Sequence, residues 1–435
     1  MTAALSDWIP PLPAGWELKP FFALFDERVH PNSAQEVTDV LSLSYGRIVE
    51  RDVESNYGLL PASFDSYNIV EPQDIVMRLT DLQNDQRSLR TGQVEQRGII
   101  TSAYVTVTPK QALHSRFAHY LLHGYDLAKL FYRMGGGLRQ SMKFDDLKRM
   151  PVVLPPRMAQ ERIANFLDEQ TARIDALIAE KEQLASSLKD FEEVTGFQLV
   201  TRGLASSTKR ASYSELWLTD VPAHWKLLKL RYLASIGNGS TPKRDNEDYW
   251  VRGSIPWLNS GSVTNPRVQE ASDWVTENAC KECHLPMVRQ GSTLVALTGQ
   301  GKTRGSAAFL EFNSTINQHL AYLSPFSQEL ADEYLWVALT GLYSVLRYIS
   351  DGGGSTKGAL TCEQLAQFRI PIPPREEQKQ ITSEYKRRTD AVNRLLSNVL
   401  EHIERLREYR SSLISAAVTG QLSIDEFEAR KLEAA

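Results

Sequence analysis

The sequence predicts an α+β protein built in two similar halves, each a mixed α/β domain followed by a long helix. Three observations carry this prediction: an internal repeat, two unbroken helical heptad patterns, and short apolar runs set between turn residues ahead of each helix. At 435 residues the chain exceeds what one ordinary core accommodates, so two to four domains are expected. No tract is compositionally biased, and 42% hydrophobic residues are enough for packed cores rather than a disordered chain.

The repeat comes first, because it organises everything else. Trp8-Ile9 and Leu12-Pro13-Ala14-Gly15-Trp16 return 209 residues later as Trp217-Leu218 and Val221-Pro222-Ala223-His224-Trp225. Further along, Gly135-Gly136-Gly137, Leu147, Val152-Val153-Leu154-Pro155-Pro156-Arg157, Gln160 and Ile163 return as Gly352-Gly353-Gly354, Leu365, Ile370-Pro371-Ile372-Pro373-Pro374-Arg375, Gln378 and Ile381. From Leu147 onward the offset is 218, and it still holds where Leu199-Val200-Thr201 becomes Ala417-Val418-Thr419. Chance does not keep tryptophans, prolines and glycines in order over such a distance.

After each Pro-Pro-Arg the pattern turns helical. A 4-3 spacing sets Ile163, Leu167, Gln170, Ile174, Leu177, Lys181, Leu184, Leu188, Phe191 and Thr195 on one seam, flanked by charge. The second copy gives Ile381, Tyr385, Arg388, Val392, Leu395, Val399, His402, Leu406, Tyr409 and Leu413. Proline at the first turn and Gly203 or Gly420 beyond the last fit a helix start and stop. Rods of equal length in one chain can pair with each other, and Lys181, Arg388 and His402 would then set register or mark contacts to other chains. Ahead of the rods, runs such as Asp74–Met77, Ala103–Val107, Ser292–Leu297 and Ala321–Leu323 read as strands, with helical patterns at 112–134 and 329–349. The expected boundaries are a first domain at 1–154, a first rod at 155–204, a linker at 205–212, a second domain at 213–372, and a second rod with its tail at 373–435.

Several function classes are disfavoured. No apolar run approaches the ~20 residues of a membrane span, and the opening residues lack the basic and apolar regions of a secretory signal. Three cysteines give no disulfide framework, so a reducing cytoplasm is expected. A net charge of −4 points to no partner, yet Gln86–Phe144 carries nine Lys/Arg against two acids, a stretch able to face phosphates. Ala296–Thr303 imitates a nucleotide-binding loop, but its first glycine is replaced and no helix pattern follows to hold phosphates. Cys280-Lys281-Glu282-Cys283-His284 has haem-attachment spacing without an export signal, and no suitably spaced fourth zinc ligand. His30, His114, His119 and His123 lack a zinc-protease or triad context and read as core or surface histidines. No catalytic or metal-binding residue is expected, and the chain alone reads as a non-enzyme.

Over essentially its whole length the chain resembles the specificity subunits of Type I restriction-modification enzymes. Gly239-Ser240-Thr241-Pro242, Tyr249-Trp250, Ile255-Pro256-Trp257-Leu258, Thr315-Ile316-Asn317-Gln318 and Ile370–Pro374 with Glu377-Gln378 carry the resemblance. The first half departs from this wording, with Leu43-Ser44-Tyr45-Gly46 in place of Leu258-Asn259-Ser260-Gly261 and no Gly-x-Thr-Pro loop. The resemblance implies two target-recognition domains on rods that pair as an antiparallel coiled coil with pseudo-two-fold symmetry. Each domain would read a half-site of duplex DNA in the major groove, and the rods would set half-site spacing. Two adenine methyltransferase subunits and an ATP-dependent restriction subunit are the implied partners. S-adenosylmethionine, ATP and Mg2+ are implied for those partners and no cofactor for this chain. The alternative is a protein-interaction scaffold on paired helical rods.

Residue type in polar, glycine-rich loops selects the candidate DNA contacts, since Arg and Lys suit guanine, Asn and Gln suit adenine, and Ser or Thr suit phosphate. In the second half these are Thr241, Lys243, Arg244, Asn259, Ser260, Gln300, Lys302, Thr303, Arg304 and Lys357. In the first half they are Arg87, Arg90, Gln96, Arg97, Arg139, Gln140 and Lys143.

Overall fold

The computed structural model describes residues 9–51, 63–82, 89–134, 141–205, 209–215, 217–299, 301–351 and 358–433. The two rods are helices Arg157–Arg202 (46 residues) and Arg375–Val418 (44 residues), each therefore ~65–70 Å long at 1.5 Å per residue. The chain divides into two compact units, 1–182 with 400–435, and 183–399, so each rod gives one half to each unit.

In the first unit an antiparallel sheet runs Phe25–Glu27, Val105–Pro109, Ile75–Met77, Thr91–Gln93. The helix Ser115–Leu127 turns Phe117, Ala118, Leu121, Leu122 and Tyr125 inward, and they join Ile163, Ala164, Phe166 and Leu167 of the first rod and Leu413, Ile414, Ala417 and Val418 of the second in one core. In the second unit a five-stranded sheet runs Ala234–Asn238, Leu320–Pro325, Thr293–Ala296, Ala307–Leu310, Arg267–Val268, all antiparallel except the last pair. A smaller sheet, Asp273–Val275, Ile255–Leu258, Thr315–Ile316, lies in the same unit. The helix Asp332–Gly341 is apolar through its middle, where Leu335, Trp336, Val337, Ala338 and Leu339 are all buried.

The repeat is visible bond by bond. Glu17–Pro20 pairs with Pro151–Leu154, and Lys226–Lys229 pairs with Arg369–Ile372 in the same register. Just past each neck, a buried glutamine fastens the rod to its domain. The Gln160 amide donates to the Pro155 and Ala112 carbonyls (2.8 and 3.1 Å) and its oxygen accepts the His114 N–H (2.7 Å). Gln378 donates to Pro373 and Glu329 (2.8 and 2.7 Å) and accepts from Ala331 (2.8 Å), every partner displaced by 217 or 218 positions. Each rod ends on a glycine with left-handed backbone, φ +71° at Gly203 and +74° at Gly420. A Cβ would reach Trp225 at 2.9 Å in the first case and Pro13 at 2.5 Å in the second, so only glycine fits both endings.

Within each unit the rods pair antiparallel. In the first, the Arg410 guanidinium takes both Asp175 oxygens (2.9 and 3.3 Å) and Arg407 meets Glu182 (2.8 Å). In the second, the Thr389 hydroxyl donates to Glu192, whose carboxyl is raised from the usual range by burial. The seam differs from the expected one by one residue at every second position. Leu167, Ile174, Lys181, Leu188 and Thr195 face inward as expected, but their alternates are Thr171, Ile178, Ala185 and Glu192 rather than Gln170, Leu177, Leu184 and Phe191. The second rod repeats this with Thr389, Leu396, Ile403 and Arg410, leaving Arg388, Leu395, His402 and Tyr409 off the seam. One residue is a rotation of ~100°, and at 184/185 and 191/192 choosing the more apolar flank places the stripe on the wrong side. Ala185 is buried, while Leu177, Leu184 and Phe191 are 45–55% exposed.

One bridge is conserved in place but reversed in sign. Arg116 on the first domain's helix pairs with Asp168 of its rod, and at the equivalent positions Glu333 pairs with Lys386. The strand Arg210–Glu215 begins inside the stretch 205–212 that the sequence suggested as linker.

Candidate nucleic-acid interface

The loop following Ala234–Asn238 holds three of the second unit's candidates, and it is tightly built. Gly239 lies so close to the Ile316 carbonyl that a Cβ would sit 1.7 Å from it, so no other residue can open this loop. Two indole N–H groups then tie down its backbone, Trp257 to the Ser240 carbonyl (3.2 Å) and Trp250 to the Lys243 carbonyl (2.9 Å). Ser240 donates to the Cys283 carbonyl, and the Thr241 hydroxyl donates to Gln318 (2.6 Å). With its backbone fixed, the loop presents Thr241, Lys243 and Arg244 as exposed side chains. The Arg244 guanidinium lies 3.9 Å above the Trp250 ring and 5.0 Å from that of Trp257, facing Asp273 at 3.4–3.5 Å.

Asn259 caps the turn Ser260–Thr264 by accepting the Gly261 N–H (2.8 Å), so its amide oxygen is already engaged and its NH2 group remains to donate. Gln318 touches the His319 ring (3.3 Å), whose other nitrogen meets Thr298 (2.9 Å). The sequence reasoning missed this Thr241–Gln318–His319–Thr298 chain. Its signal was present in Asn317-Gln318, which carried the resemblance without being counted as site residues.

The stretch that imitates a nucleotide-binding loop is the turn of a β-hairpin, joining Thr293–Ala296 to the antiparallel Ala307–Leu310. It therefore presents no helix N-terminus to a phosphate. Lys302 is exposed at its tip, its carbonyl held by the Tyr343 and Ser306 hydroxyls (2.9 and 2.8 Å), and Thr303 is half-buried beside it. Arg304 corrects an expectation. It is 7% exposed and binds the Gly358 carbonyl and Asp351, so it braces the hairpin from within instead of facing a ligand.

Arg90 in the first unit is a second correction. It is fully buried, donating to the Tyr132 hydroxyl (2.8 Å) and to the Arg78, Thr80 and Asp81 carbonyls. A buried guanidinium needs its donors met inside the protein, and those acceptors take four of its five N–H groups. Gln96 and Arg97 are exposed in the turn after Thr91–Gln93, with Arg97 paired to Glu71 (3.1 Å). Lys143 is exposed ahead of the short helix Phe144–Leu147. Arg87, Arg139, Gln140, Gln300 and Lys357, with the two glycine triads, lie outside the described residues.

The other sequence motifs fall in ordinary places. Cys280 sits on the helix Glu277–Glu282 and Cys283 caps it, and burial pushes the Cys280 thiol up, away from the reactive thiolate. His119 and His123 lie on the face of Ser115–Leu127 against the rods, where burial lowers their pKa to about 4 and about 3. His123 touches the Thr91 hydroxyl at 3.3 Å. Both are neutral packing residues near neutral pH.

Residues 222–405 match the family described as Type I restriction modification DNA specificity domain. The match takes in the second domain and most of the second rod, about two-fifths of the chain. The Type I restriction enzyme MjaIX specificity subunit of Methanocaldococcus jannaschii is 29% identical over 175 residues, 39% of each chain. The EcoR124I/EcoR124II specificity subunit of Escherichia coli is 23% identical over 181 residues, 40% of this chain and 44% of that one. The match thus spans about two-fifths of those relatives' lengths. Among solved structures, a chain described under assembly and conformational transition of the type I R-M system gives a TM-score of 0.72 at 16% identity, covering 95% of this chain and all of that one. The HsdS subunit from Thermoanaerobacter tengcongensis gives 0.52, also at 16%, over 94% and 98%. At such identities the likeness is one of fold, and it covers residues of both units. No described helix is long and apolar enough to cross a membrane.

Proposed function

We propose that this chain is the DNA-reading, non-catalytic subunit of a Type I restriction-modification assembly. Each globular domain reads one half of an asymmetric, two-part duplex target, and the rods on which both domains are built set the distance between the halves. The observation that carries the reading is a scaffold repeated bond for bond beneath loops that are not repeated. Necks, glutamine latches and glycine endings coincide, whereas the Gly239–Arg244 loop of the second unit has no counterpart in the first. Identical holders with different reading surfaces suit one complex reading two unlike sequences.

The exposed stripe left by the seam suits partner docking. Leu184, Phe191 and Leu395 in the second unit, and Leu177 and Tyr409 in the first, occupy the same heptad position of their rods. A repeated apolar patch takes a repeated partner, in this reading two adenine methyltransferase subunits that flip the target base. S-adenosylmethionine belongs to those subunits, and ATP and Mg2+ to a restriction subunit acting with them. The test is duplex-DNA affinity of the chain with its methyltransferase across a salt series. Counterion release predicts an affinity that falls steeply with salt. No affinity at any salt concentration would leave a protein-interaction scaffold as the better reading.

A further inference from the structure

We infer that Arg244 reads a guanine in the half-site of the second domain, a role that rests on the DNA-reading function proposed above. Three features of its surroundings separate it from the other exposed cations. Its guanidinium carbon lies over the Trp250 ring, 3.9 Å from the centroid, with Trp257 packed edge-on to Trp250 (centroids 5.3 Å). One edge of the fork faces both oxygens of Asp273. The loop beneath it is tied by the two indole N–H bonds to Ser240 and Lys243. Yet the side chain remains 54% exposed, so the fork is fixed without being consumed.

Those features select a base edge over a phosphate. An arginine loses rotamer freedom on being ordered, and here contact with the indole has ordered it before any ligand arrives. Asp273 neutralises the guanidinium charge, which weakens its pull on a phosphate and would repel one. The N–H donors turned away from Asp273 keep their direction. Paired, directed donors on a near-neutral group suit the O6 and N7 acceptors of guanine, whereas adenine presents an N6 donor against them. Lys243 and Lys302, exposed in the same unit, are the point charges suited to phosphate. Arg304 and Arg267 are held by Asp351 and by Glu311 with Glu333, so neither offers a comparable fork.

The test is base-modification sequencing of a methylation-free host carrying the complete system, with wild-type chain, Arg244→Ala or Arg244→Lys. The expected result is a wild-type motif with a guanine in one half that Arg244→Ala relaxes by roughly 10- to 100-fold at that position, all others retained. Arg244→Lys keeps charge and stem but not the fork, and should relax the same position. Two results overturn the assignment: an unchanged motif with uniformly weaker methylation in Arg244→Ala, or full guanine preference in Arg244→Lys. Complete loss of methylation in Arg244→Ala at an unchanged melting temperature also overturns it, because one base contact is worth less than that. A wild-type system giving no two-part motif would instead sink the DNA-reading function, a separate failure.

Discussion

Replacing Gln378 with methionine tests whether the buried glutamine latches fasten the rods to their domains. Methionine nearly preserves volume, so the perturbation is the loss of three hydrogen bonds at a fully buried side chain. The Ala331 N–H then has no acceptor, at a cost of about 1–3 kcal/mol, and the Pro373 and Glu329 carbonyls each lose a donor. Together these give about 2–4 kcal/mol. For a unit of ~200 residues, 1 kcal/mol moves the melting temperature by ~2–4 °C, so a fall of ~4–16 °C is expected. Gln160→Met breaks the corresponding bonds in the first unit and should cost the same within a factor of two. The assay is thermal unfolding of the full chain by circular dichroism, with tryptophan fluorescence weighting the tryptophan-rich second unit. A change below ~1 °C in either variant would refute the latch.

Three further outcomes follow from the same geometry. Arg116→Glu sets like charges against Asp168 and should cost ~0.5–1 kcal/mol at this half-exposed site, while adding Asp168→Lys restores the loss by copying the Glu333–Lys386 arrangement. A double-mutant cycle in urea measures it, and a coupling energy of zero would count against the pairing. Acidification should loosen the first unit, because His119 and His123 titrate at about 4 and about 3 when folded but near 6.5 when free. Between those limits the unfolded chain binds more protons, so stability is complete above pH 6.5 and falls, by on the order of a few kcal/mol, as pH drops below it. His119→Phe should flatten this slope in urea titrations, and an equal slope in that variant would contradict the cause. Inserting one heptad into both rods lengthens each by ~10 Å, the rise of ~3 base pairs, so the methylated motif should widen by that amount or methylation should cease. Full activity at unchanged spacing would exclude the rods as a ruler.

Much of this was legible in the sequence, for reasons the structure makes physical. Proline, glycine and tryptophan mark the repeat because each answers a backbone demand: Gly203 and Gly420 end the rods in left-handed turns against aromatic or proline rings. The rods were legible as helices, but not which flank is buried. At 184/185 and 191/192 the more apolar residue lies outward, Leu184 and Phe191 being exposed while Ala185 and Glu192 face the seam, and only packing reveals this. Arg90 and Arg304 misled for a related reason, since a residue type that suits DNA equally suits a buried cage of carbonyls. The reversed bridge could not be read at all, because Arg116–Asp168 and Glu333–Lys386 join residues about 50 positions apart that nothing local connects.

The central claim, two unlike readers on one repeated scaffold, is tested most directly by base-modification sequencing of the host with and without this gene. The account predicts an adenine-methylation motif of two different parts, separated by a fixed gap, that vanishes on deletion and returns when the gene is restored. A methylation pattern that deletion leaves unchanged, or a motif with two identical halves, would contradict it.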